Sequence, residues 1–553
     1  MILTLPLLAA VLNTASCDPV IVLENAVIHT VAEASPRVDR MAFDRCGEIL
    51  ATGDAVDELK DRQLKLVDLK GRTVVPGFID AHGHLMGLGF QQLQPNLMGT
   101  GSKADIVSVL KAFETQLPEE AWLVGRGWDQ NDWPEKAFPT RQDLDQAFPE
   151  RPVWLERIDG HAGWANSAAL AQADRDFSGS WQPEGGRIVR DEEGQPTGVL
   201  VDTAMQFVEG AIPSPSADET ELALDRALTK AASVGLTGVH DAGTSLATWA
   251  RYEKKHREGG LTLRVYAMAD GDREMLARLC RSGHIQHDNW LWARSVKFYA
   301  DGALGSRGAA LLADYHDDPG NRGLLIQPPE ALRAQVTGAA GCGLQVNIHA
   351  IGDRGNRVVL DAYARAAASH PDNPGRHRIE HVQVVALSDL ERIAEQGLVA
   401  SMQPTHATSD MYWAEDRVGP QRIRGAYAWA TLEKLGVPLA LGSDFPVEKP
   451  DPLLGFYASI TRRDESGWPE GGWRAEEALN RQRALYGFTL GAAYAGFAER
   501  VIGSLEAGKR ADLVVLSADI MEIPEEQILK TRVLATVVDG RVVFRHADAG
   551  ELW

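Results

Sequence analysis

Residues 76–84 read Pro-Gly-Phe-Ile-Asp-Ala-His-Gly-His, and this stretch decides the fold. It is a short apolar run that ends in two histidines, His82 and His84, two positions apart. On an extended segment, side chains at i and i+2 point to the same side, so both imidazoles can reach one cation. Such pairs also arise by chance, so the interpretation depends on how the other strands end.

Seven further apolar runs follow along the chain, usually after amphipathic helical stretches such as 220–234 and 386–396. Continuous apolar strands separated by helices indicate a parallel sheet. Eight such units predict an α/β fold, a TIM-type (β/α)8 barrel, with its active site at the C-terminal ends of the strands. The predicted strands are residues 73–79, 237–240, 263–268, 295–299, 344–349, 377–381, 399–402 and 437–441.

Ionisable residues stand in or after four of the later strands. Lys297 lies inside the fourth, where burying its charge costs free energy unless it is paired or neutralised. His349 ends the fifth strand, His381 ends the sixth, and Asp444 follows the eighth. Each alone is more typical of a satisfied core residue, but together and in strand order they predict a metal site at the barrel rim.

Two other parts of the chain lie outside this pattern. Short β-like runs at both ends predict one small β-domain from residues 20–74 and 503–546, beside a barrel formed by 75–102 and 216–502. The first two barrel strands are separated by about 150 residues, which predicts an inserted subdomain over 103–215. The insert holds six of the 14 Trp, which form its own core or line a pocket for an apolar or aromatic group.

Composition limits the classes of partner. The formal net charge of −21 repels phosphate backbones and disfavours nucleic-acid binding, so we expect a small-molecule substrate. The four cysteines are far apart, form no CxxC pair, and predict neither a disulfide scaffold nor a thiolate zinc site. The sequence does not indicate an oligomeric state.

The N-terminus carries an apolar run over residues 2–12 that is too short to span a bilayer. Residues 1–17 are therefore interpreted as a signal or lipoprotein segment, with Cys17 as the lipid-bearing residue in the second case. Export to a bacterial periplasm, or a lipid anchor as the sole membrane contact, stands against the alternative of an ordinary cytoplasmic N-terminal strand, because no Lys or Arg precedes the run.

The strand-end residues and three longer motifs resemble the metal-dependent amidohydrolase superfamily. The motifs are PGFIDAHGH over 76–84, VKFYADGALGSR over 296–307, and VIGSLEAGKRADLVVL over 501–516. They are most similar to the amidohydrolase-3 branch, the YtcJ-like proteins related to N-substituted formamide deformylase, and the resemblance runs from about residue 20 to 546. One departure is Gly83, where Val or another side chain is more usual; we expect little effect on ligand geometry.

This resemblance implies a barrel with a composite β-sandwich from both termini and a site for a divalent metal, expected to be Zn²⁺. It implies that His82 and His84 hold the more buried ion together with Asp444. His349 and His381 would hold a second ion if there are two rather than one.

Two further roles follow. Lys297 would bridge two ions only after reacting with CO₂ to form a carbamate, and the alternative is a neutral Lys297 that donates hydrogen bonds in a one-metal site. Asp444 would accept a proton from a metal-activated water and pass it to the departing amine, as general acid–base catalysis requires.

Six residues near the predicted barrel mouth are candidates for substrate binding, because loops after barrel strands carry binding groups. For each, a purely structural role is the alternative. They are Arg157, Asp159 and His161 in the insert, Asp301 and Arg307 after the fourth strand, and His406 after the seventh.

The sequence therefore predicts a metal-dependent hydrolase that cleaves a non-peptide C–N bond, in an amide, an N-formyl group or a cyclic amide. Two alternatives stay open: a deaminase or an ester or lactone hydrolase on the same barrel, since the same attacking water can meet other electrophilic carbons, and a metal-binding module without turnover.

Overall fold

The computed structural model describes residues 17–271 and 273–550 of the chain. The predicted signal segment therefore lies outside the described residues, apart from Cys17. No helix in the described ranges is both long enough and apolar enough to cross a bilayer.

The N-terminal part forms seven short strands rich in Val, Ile and Leu, of which Val and Ile favour extended chain. These strands are β1 (Val20–Glu24), β2 (Val27–His29), β3 (Arg37–Val38), β4 (Met41–Phe43), β5 (Ile49–Thr52), β6 (Leu64–Asp68) and β7 (Thr73–Pro76).

The chain enters the barrel with β8 (Phe78–Gly83) and α1 (Leu85–Gln91), then leaves it for the inserted subdomain. The insert has the strands β9 (Leu123–Trp128), β10 (Val153–Arg157), β11 (Ala162–Ala165), β12 (Gly186–Arg190) and β13 (Pro196–Asp202), and the helices α2 (Lys103–Glu114), α3 (Arg141–Asp145), α4 (Ser167–Leu170) and α5 (Gln206–Glu209). Its strands form one sheet in the order β12-β13-β11-β10-β9.

The positions of the six tryptophans decide whether they form the core of the insert or line a pocket, the two roles that the sequence left open. Trp128, Trp133 and Trp164 pack in one apolar core of the insert, and Trp154 packs in a second core, with Trp122 and Trp181 against it. None of the six lines the large cavity described below. They stabilise the insert, and the prediction of a tryptophan-lined pocket is wrong.

The barrel resumes after the insert. Its strands are β14 (Leu236–Thr244), β15 (Arg264–Ala269), β17 (Leu291–Tyr299), β18 (Gln345–Ala350), β19 (Arg378–His381), β20 (Val399–Met402) and β21 (Leu439–Leu441), with β16 (Ile285–His287) added antiparallel to β17. Together with β8 they form a parallel sheet in the order β21-β20-β19-β18-β17-β15-β14-β8.

Two backbone hydrogen bonds bring the first and last barrel strands together. Asp444 N donates to His82 O at 2.7 Å, and His84 N donates to Phe445 O at 2.7 Å. The ring of eight parallel strands is thus nearly closed at its carboxyl end, and the predicted (β/α)8 fold is confirmed.

Helices cover the outside of the barrel, and apolar positions on them face the strands. They are α6 (Ala217–Ser233), α7 (Leu246–Arg257), α8 (Arg273–Ser282), α9 (Pro329–Gly341), α10 (Asp353–Ser369), α11 (Leu390–Glu395), α12 (Pro404–Asp410), α13 (Ala414–Arg422), α14 (Trp429–Lys434), α15 (Pro452–Thr461), α16 (Arg481–Tyr486) and α17 (Ala492–Ala495).

The C-terminal strands complete a composite β-sandwich. They are β22 (Leu513–Leu516), β23 (Val533–Val538) and β24 (Arg541–Arg545), with α18 (Glu525–Ile528) between the first two. One sheet has the order β24-β23-β22-β7-β2-β3 and therefore mixes strands from both ends of the chain; the other is β5-β4-β1-β6.

The predicted first barrel strand, 73–79, is wrong as one element. Its first half, β7, pairs with β22 and β2 in the sandwich, and the barrel strand β8 begins at Phe78. The change of sheet falls at Gly77, where a Cβ would lie 2.1 Å from Thr237 Oγ1. Only a residue without a side chain fits there.

The four cysteines, whose spacing indicated no disulfide scaffold, nevertheless form two disulfides. Cys17 is bonded to Cys46, and Cys280 is bonded to Cys342. The paired cysteines are 29 and 62 residues apart in the sequence, but their Cα atoms are only 5.2 and 5.0 Å apart in the fold. In this oxidised chain the Cys17 sulfur is not free to carry the lipid that the lipoprotein interpretation requires.

Candidate metal centre and active site

The carboxyl ends of the barrel strands bring the predicted ligands together. His82 Nε2 lies 3.6 Å from Asp444 Oδ1, and His84 Nε2 lies 3.1 Å from the same oxygen. One ligand atom each from His82, His381 and Asp444 lie within 4.8 Å of one another, and all three residues are buried. These three form the core of a candidate metal centre, with His84 beside it.

The donor atoms of this group fit a divalent cation. Within the described residues, His82 Nε2 is buried and has no hydrogen-bond partner, and Asp444 Oδ1 faces only the imidazole nitrogens of His82 and His84. Leaving buried polar atoms unsatisfied costs free energy, so such atoms call for a partner. Imidazole nitrogens with a carboxylate oxygen are the ligands that catalytic zinc sites use.

His82 is held in its orientation by Glu380. His82 Nδ1 and Glu380 Oε2 are 2.5 Å apart, and Arg378 Nη2 donates to the same oxygen at 3.0 Å. Burial would raise the pKa of Glu380, but Arg378 and His82 outweigh it and lower that pKa below its usual range. Burial also lowers the pKa of His82 to about 4, so the ring is neutral near pH 7. Because Nδ1 contacts Glu380, Nε2 is the nitrogen that faces Asp444.

The loop that carries Asp444 is fixed against β8. Asp80 Oδ2 accepts a hydrogen bond from Ser443 Oγ at 2.6 Å, and Asp80 Oδ1 accepts one from His82 N at 3.1 Å. A Cβ at Gly83 would lie 2.5 Å from the Phe445 ring. The Phe445 ring therefore occupies the space that a side chain at position 83 would need, which explains why the residue between the two histidines is glycine.

The predicted ligands of a second ion are adjacent to this group. His349 ends β18 with its ring centroid 4.6 Å from that of His381, and burial lowers the pKa of both rings well below the usual value. Lys297 is buried, with Nζ 4.0 Å from the centroid of the Tyr299 ring, and it makes no ion pair with a described residue. A second ion and a carbamate on Lys297 stay predictions.

The insert reaches over the barrel mouth with three of the predicted residues. Arg157 forms ion pairs with Asp129 and Asp159, and it is almost fully buried. His161 pairs through Nδ1 with Asp202 Oδ1 at 2.6 Å. The His161 ring centroid lies 4.9 Å from that of His349, so the insert contacts the barrel residues directly.

These groups line one cavity of about 490 Å³. Asp410 and Glu448 also line it, and neither forms an ion pair with a described residue. Burial raises the pKa of Asp410 well above its usual range and that of Glu448 to about 7. Ten of the predicted site residues line the cavity: His82, His84, Arg157, Asp159, His161, Lys297, His349, His381, His406 and Asp444.

Two predicted substrate-binding residues lie elsewhere. Asp301 is fully buried and accepts backbone hydrogen bonds from Ala310, Ile351 and Gly352, so it holds loops together behind the cavity. Arg307 pairs with Asp317 away from the cavity lining. The structure brings neither side chain to the cavity lining, although Ala303, Leu304 and Gly305 of the same loop line it.

Sequence reasoning missed several contributors to this site. Arg378 and Glu380 are an i, i+2 pair of opposite charges inside the predicted sixth barrel strand, the same kind of signal as the one noted for Lys297. Asp202 and Glu448 gave no such signal, because the importance of each depends on a tertiary neighbour.

Comparisons with known proteins agree with this geometry. Residues 65–544 match the model of a family described as the amidohydrolase family. The chain is 34% identical to the YtcJ protein of Bacillus subtilis (strain 168) over 94% of this chain and 98% of that one, and 28% identical to N-substituted formamide deformylase of Arthrobacter pascens over 88% and 90%. It also resembles an uncharacterized metal-dependent hydrolase from Pyrococcus horikoshii OT3, with TM-score 0.74, 28% identity, and 92% and 99% of the two chains covered.

Proposed function

Because the chain belongs to the amidohydrolase family and is a hydrolase of carbon–nitrogen bonds other than peptide bonds, we propose that it cleaves a small amide, N-formyl compound or cyclic amide in the cavity above His82 and Asp444. The observation that carries this proposal is the convergence of two imidazole nitrogens on one buried carboxylate oxygen: His82 Nε2, which has no hydrogen-bond partner among the described residues, and His84 Nε2 lie 3.6 and 3.1 Å from Asp444 Oδ1.

We propose that His82, His84, His381 and Asp444 hold a divalent ion, and that this ion is zinc. When bound, such an ion lowers the pKa of water and polarises the carbonyl that is to be cleaved. The remaining chemistry belongs to the chain. Asp444 takes a proton from the attacking water and returns it to the departing nitrogen, which would otherwise leave as an unstable amide anion.

The cavity favours a small substrate. About 490 Å³ admits a molecule of modest size, and the insert limits access from above through Arg157 and His161. The relative from Arthrobacter pascens is named for N-substituted formamides, which makes this class the first to test.

The test begins with the metal content of protein purified without chelator, measured by plasma mass spectrometry. Turnover is then measured on N-butylformamide, butyramide, 2-pyrrolidinone, cytosine, ethyl acetate and γ-butyrolactone, with separate detection of amine, ammonia and carboxylate. We expect at least one equivalent of metal and hydrolysis of an amide. Release of ammonia from cytosine, or turnover of the ester or lactone alone, would favour the alternative reactions.

The variant Asp444→Asn separates binding from chemistry. We expect it to lose at least about 10²-fold in kcat, because proton transfer contributes that much, while part of the metal is retained. Asp372→Asn, at an exposed carboxylate that does not line the cavity, should behave as the native chain. Native turnover in Asp444→Asn would contradict the mechanism, and bound metal without turnover of any compound would support a non-catalytic module.

A further inference from the structure

The inserted subdomain contributes a hydrogen-bonded His–Asp pair to the cavity. His161 lies between β10 and β11, Asp202 ends β13, and their side chains meet with Nδ1 and Oδ1 2.6 Å apart. This distance is that of a hydrogen bond between the ring and the carboxyl group, and it engages Nδ1. Nε2 is therefore the ring nitrogen left for a ligand.

The backbone also fixes this pair. Asp202 N donates to His161 O at 3.0 Å, and His161 N donates to Asp159 Oδ1 at 3.0 Å. Asp202 itself does not line the cavity, whereas His161 does. The carboxylate therefore acts on a ligand only through the imidazole.

The barrel is shaped to receive Asp202. A Cβ at Gly302 would lie 2.5 Å from Asp202 Oδ2, and one at Gly308 would lie 2.7 Å from the same oxygen. Both glycines belong to the loop that follows β17, the strand that carries Lys297. Asp202 Oδ2 is buried and without a hydrogen-bond partner among the described residues. Two glycines thus make room for one insert carboxylate that gains no hydrogen bond from the loop.

His161 and Asp444 contact different histidines of the site. Asp444 contacts His82, His84 and His406, with closest atom distances of 3.6, 3.1 and 3.8 Å. The His161 ring instead lies against His349. In amide hydrolysis the two residues would serve different atoms of the substrate, Asp444 the leaving nitrogen and His161 the carbonyl oxygen.

We propose that His161 is a catalytic residue supplied by the insert, which donates a hydrogen bond from Nε2 to the substrate carbonyl oxygen, and that Asp202 is its positioning residue. This inference rests on the proposed amide hydrolysis. As the carbonyl carbon becomes tetrahedral, negative charge grows on its oxygen, and a donor fixed in advance stabilises that charge more than the ground state. The insert is then part of the catalytic machinery.

The test uses full-length protein and whichever amide of the panel above is hydrolysed fastest. We expect His161→Ala to lower kcat by about 10²- to 10³-fold, the cost of removing one oxyanion donor, with less than about a 5-fold change in KM. Metal content and melting temperature should stay near the native values. Asp202→Ala should lower kcat in the same direction.

The double variant His161→Ala/Asp202→Ala distinguishes positioning from a structural role. If Asp202 acts through His161, the double variant is no slower than His161→Ala alone, because the effects of residues that act as a unit are not additive. Asp202→Glu keeps the negative charge but should still have a lower kcat than the native protein, because the glycine-lined space has no room for a longer side chain. Asp176→Asn, an exposed carboxylate of the insert, is the matched control.

The outcomes separate the two proposals. Absence of any amide turnover in the native protein overturns both. Native turnover with an unchanged kcat in His161→Ala, or an additive loss in the double variant, overturns only the role given to the pair. A fall in melting temperature with unchanged kcat would show that the pair merely fastens the insert to the barrel.

Discussion

Three histidines around the cavity are fixed in the same way, each with Nδ1 on a side-chain oxygen. The pairs are His82–Glu380, His381–Gln403 and His161–Asp202, with distances of 2.5, 2.8 and 2.6 Å. An imidazole whose Nδ1 is engaged turns Nε2 the other way, so each partner decides where the free nitrogen points. The geometry of the site thus depends on residues that do not themselves face the cavity centre.

This dependence leads to a prediction for Glu380→Gln. The amide keeps an acceptor for His82 Nδ1 but removes the negative charge that balances Arg378 and makes the ring a better ligand. We expect metal affinity to fall by about 10- to 100-fold, measured by competition with a chelating dye. Glu391→Gln, on the exposed face of α11, is the control, and equal affinities in the two variants would contradict the role of Glu380.

For individual residues, the sequence predicts the candidate metal ligands better than the residues that hydrogen-bond to those ligands. His82 is visible because it stands in a short spacing at the end of an apolar run. Glu380 was open to detection, since Arg378 and Glu380 are charged residues in a buried strand. Asp202 was not, because its place depends on Gly302, a residue 100 positions later that is close only in the folded chain.

Among the elements, β18 and β20 are joined through one histidine. His377, just before β19, accepts a hydrogen bond from Val346 N at its Nδ1 at 3.0 Å, and Val399 N donates to its carbonyl oxygen at 2.9 Å. Its ring stacks on Tyr363 of α10 with an interplanar angle of 6°. Burial lowers the pKa of His377 to about 4. Protonation of Nδ1 would break the first of these hydrogen bonds.

The consequence is a loss of stability in acid. A folded-state pKa of about 4 lies below the unfolded value of about 6.5, so the stabilising contribution is complete above pH 6.5 and is lost as the pH falls toward 4. Between these values the free energy of unfolding should fall by about 1.4 kcal/mol per pH unit on account of this one group.

The variant His377→Asn isolates that contribution. Asn offers an oxygen where Nδ1 stood but does not titrate, so its unfolding free energy should depend less steeply on pH, as measured by urea denaturation at pH 7, 6 and 5. His284→Asn, at an exposed position, should keep the native slope. Parallel pH profiles for the native protein and His377→Asn would contradict the prediction.

The barrel strands are well predicted because their apolar runs are long and separated by helices. The predicted strand over 73–79 failed for a physical reason. The chain stays extended and buried on both sides of Gly77, so nothing in its hydrophobicity marks the change from β7 to β8. Only the neighbours do so: Gly77 N donates to Asp512 O at 2.9 Å, and Asp512 is more than 400 residues away.

Across the whole molecule, two disulfides join surface segments. Cys17–Cys46 ties the start of β1 to the turn between β4 and β5, and Cys280–Cys342 joins α8 to the end of α9. Such bonds persist in oxidising compartments and are rare in the cytosol. Together with the apolar run over residues 2–12, they lead us to expect export of the chain without a lipid on Cys17.

Reduction should therefore destabilise the protein. Each bridge is expected to contribute about 2–4 kcal/mol, so dithiothreitol should lower the melting temperature measured by scanning fluorimetry. Cys280→Ser/Cys342→Ser should show a smaller decrease on reduction, because one bridge is already absent. Denatured, unreduced protein produced in an oxidising compartment should show no thiols toward maleimide; four reactive thiols would contradict the expectation.

The sheet shared by the two ends of the chain also has a consequence for biosynthesis. β7 lies between β2 and β22, and β22 follows it by about 440 residues. At about 5–20 residues per second, a ribosome needs about 20–90 s to make the intervening chain. During that time the edge of β7 that will pair with β22 is exposed in the nascent polypeptide. An exposed strand edge can pair with another chain unless a chaperone covers it. Truncated messages should accordingly yield insoluble fragments rather than a smaller folded product.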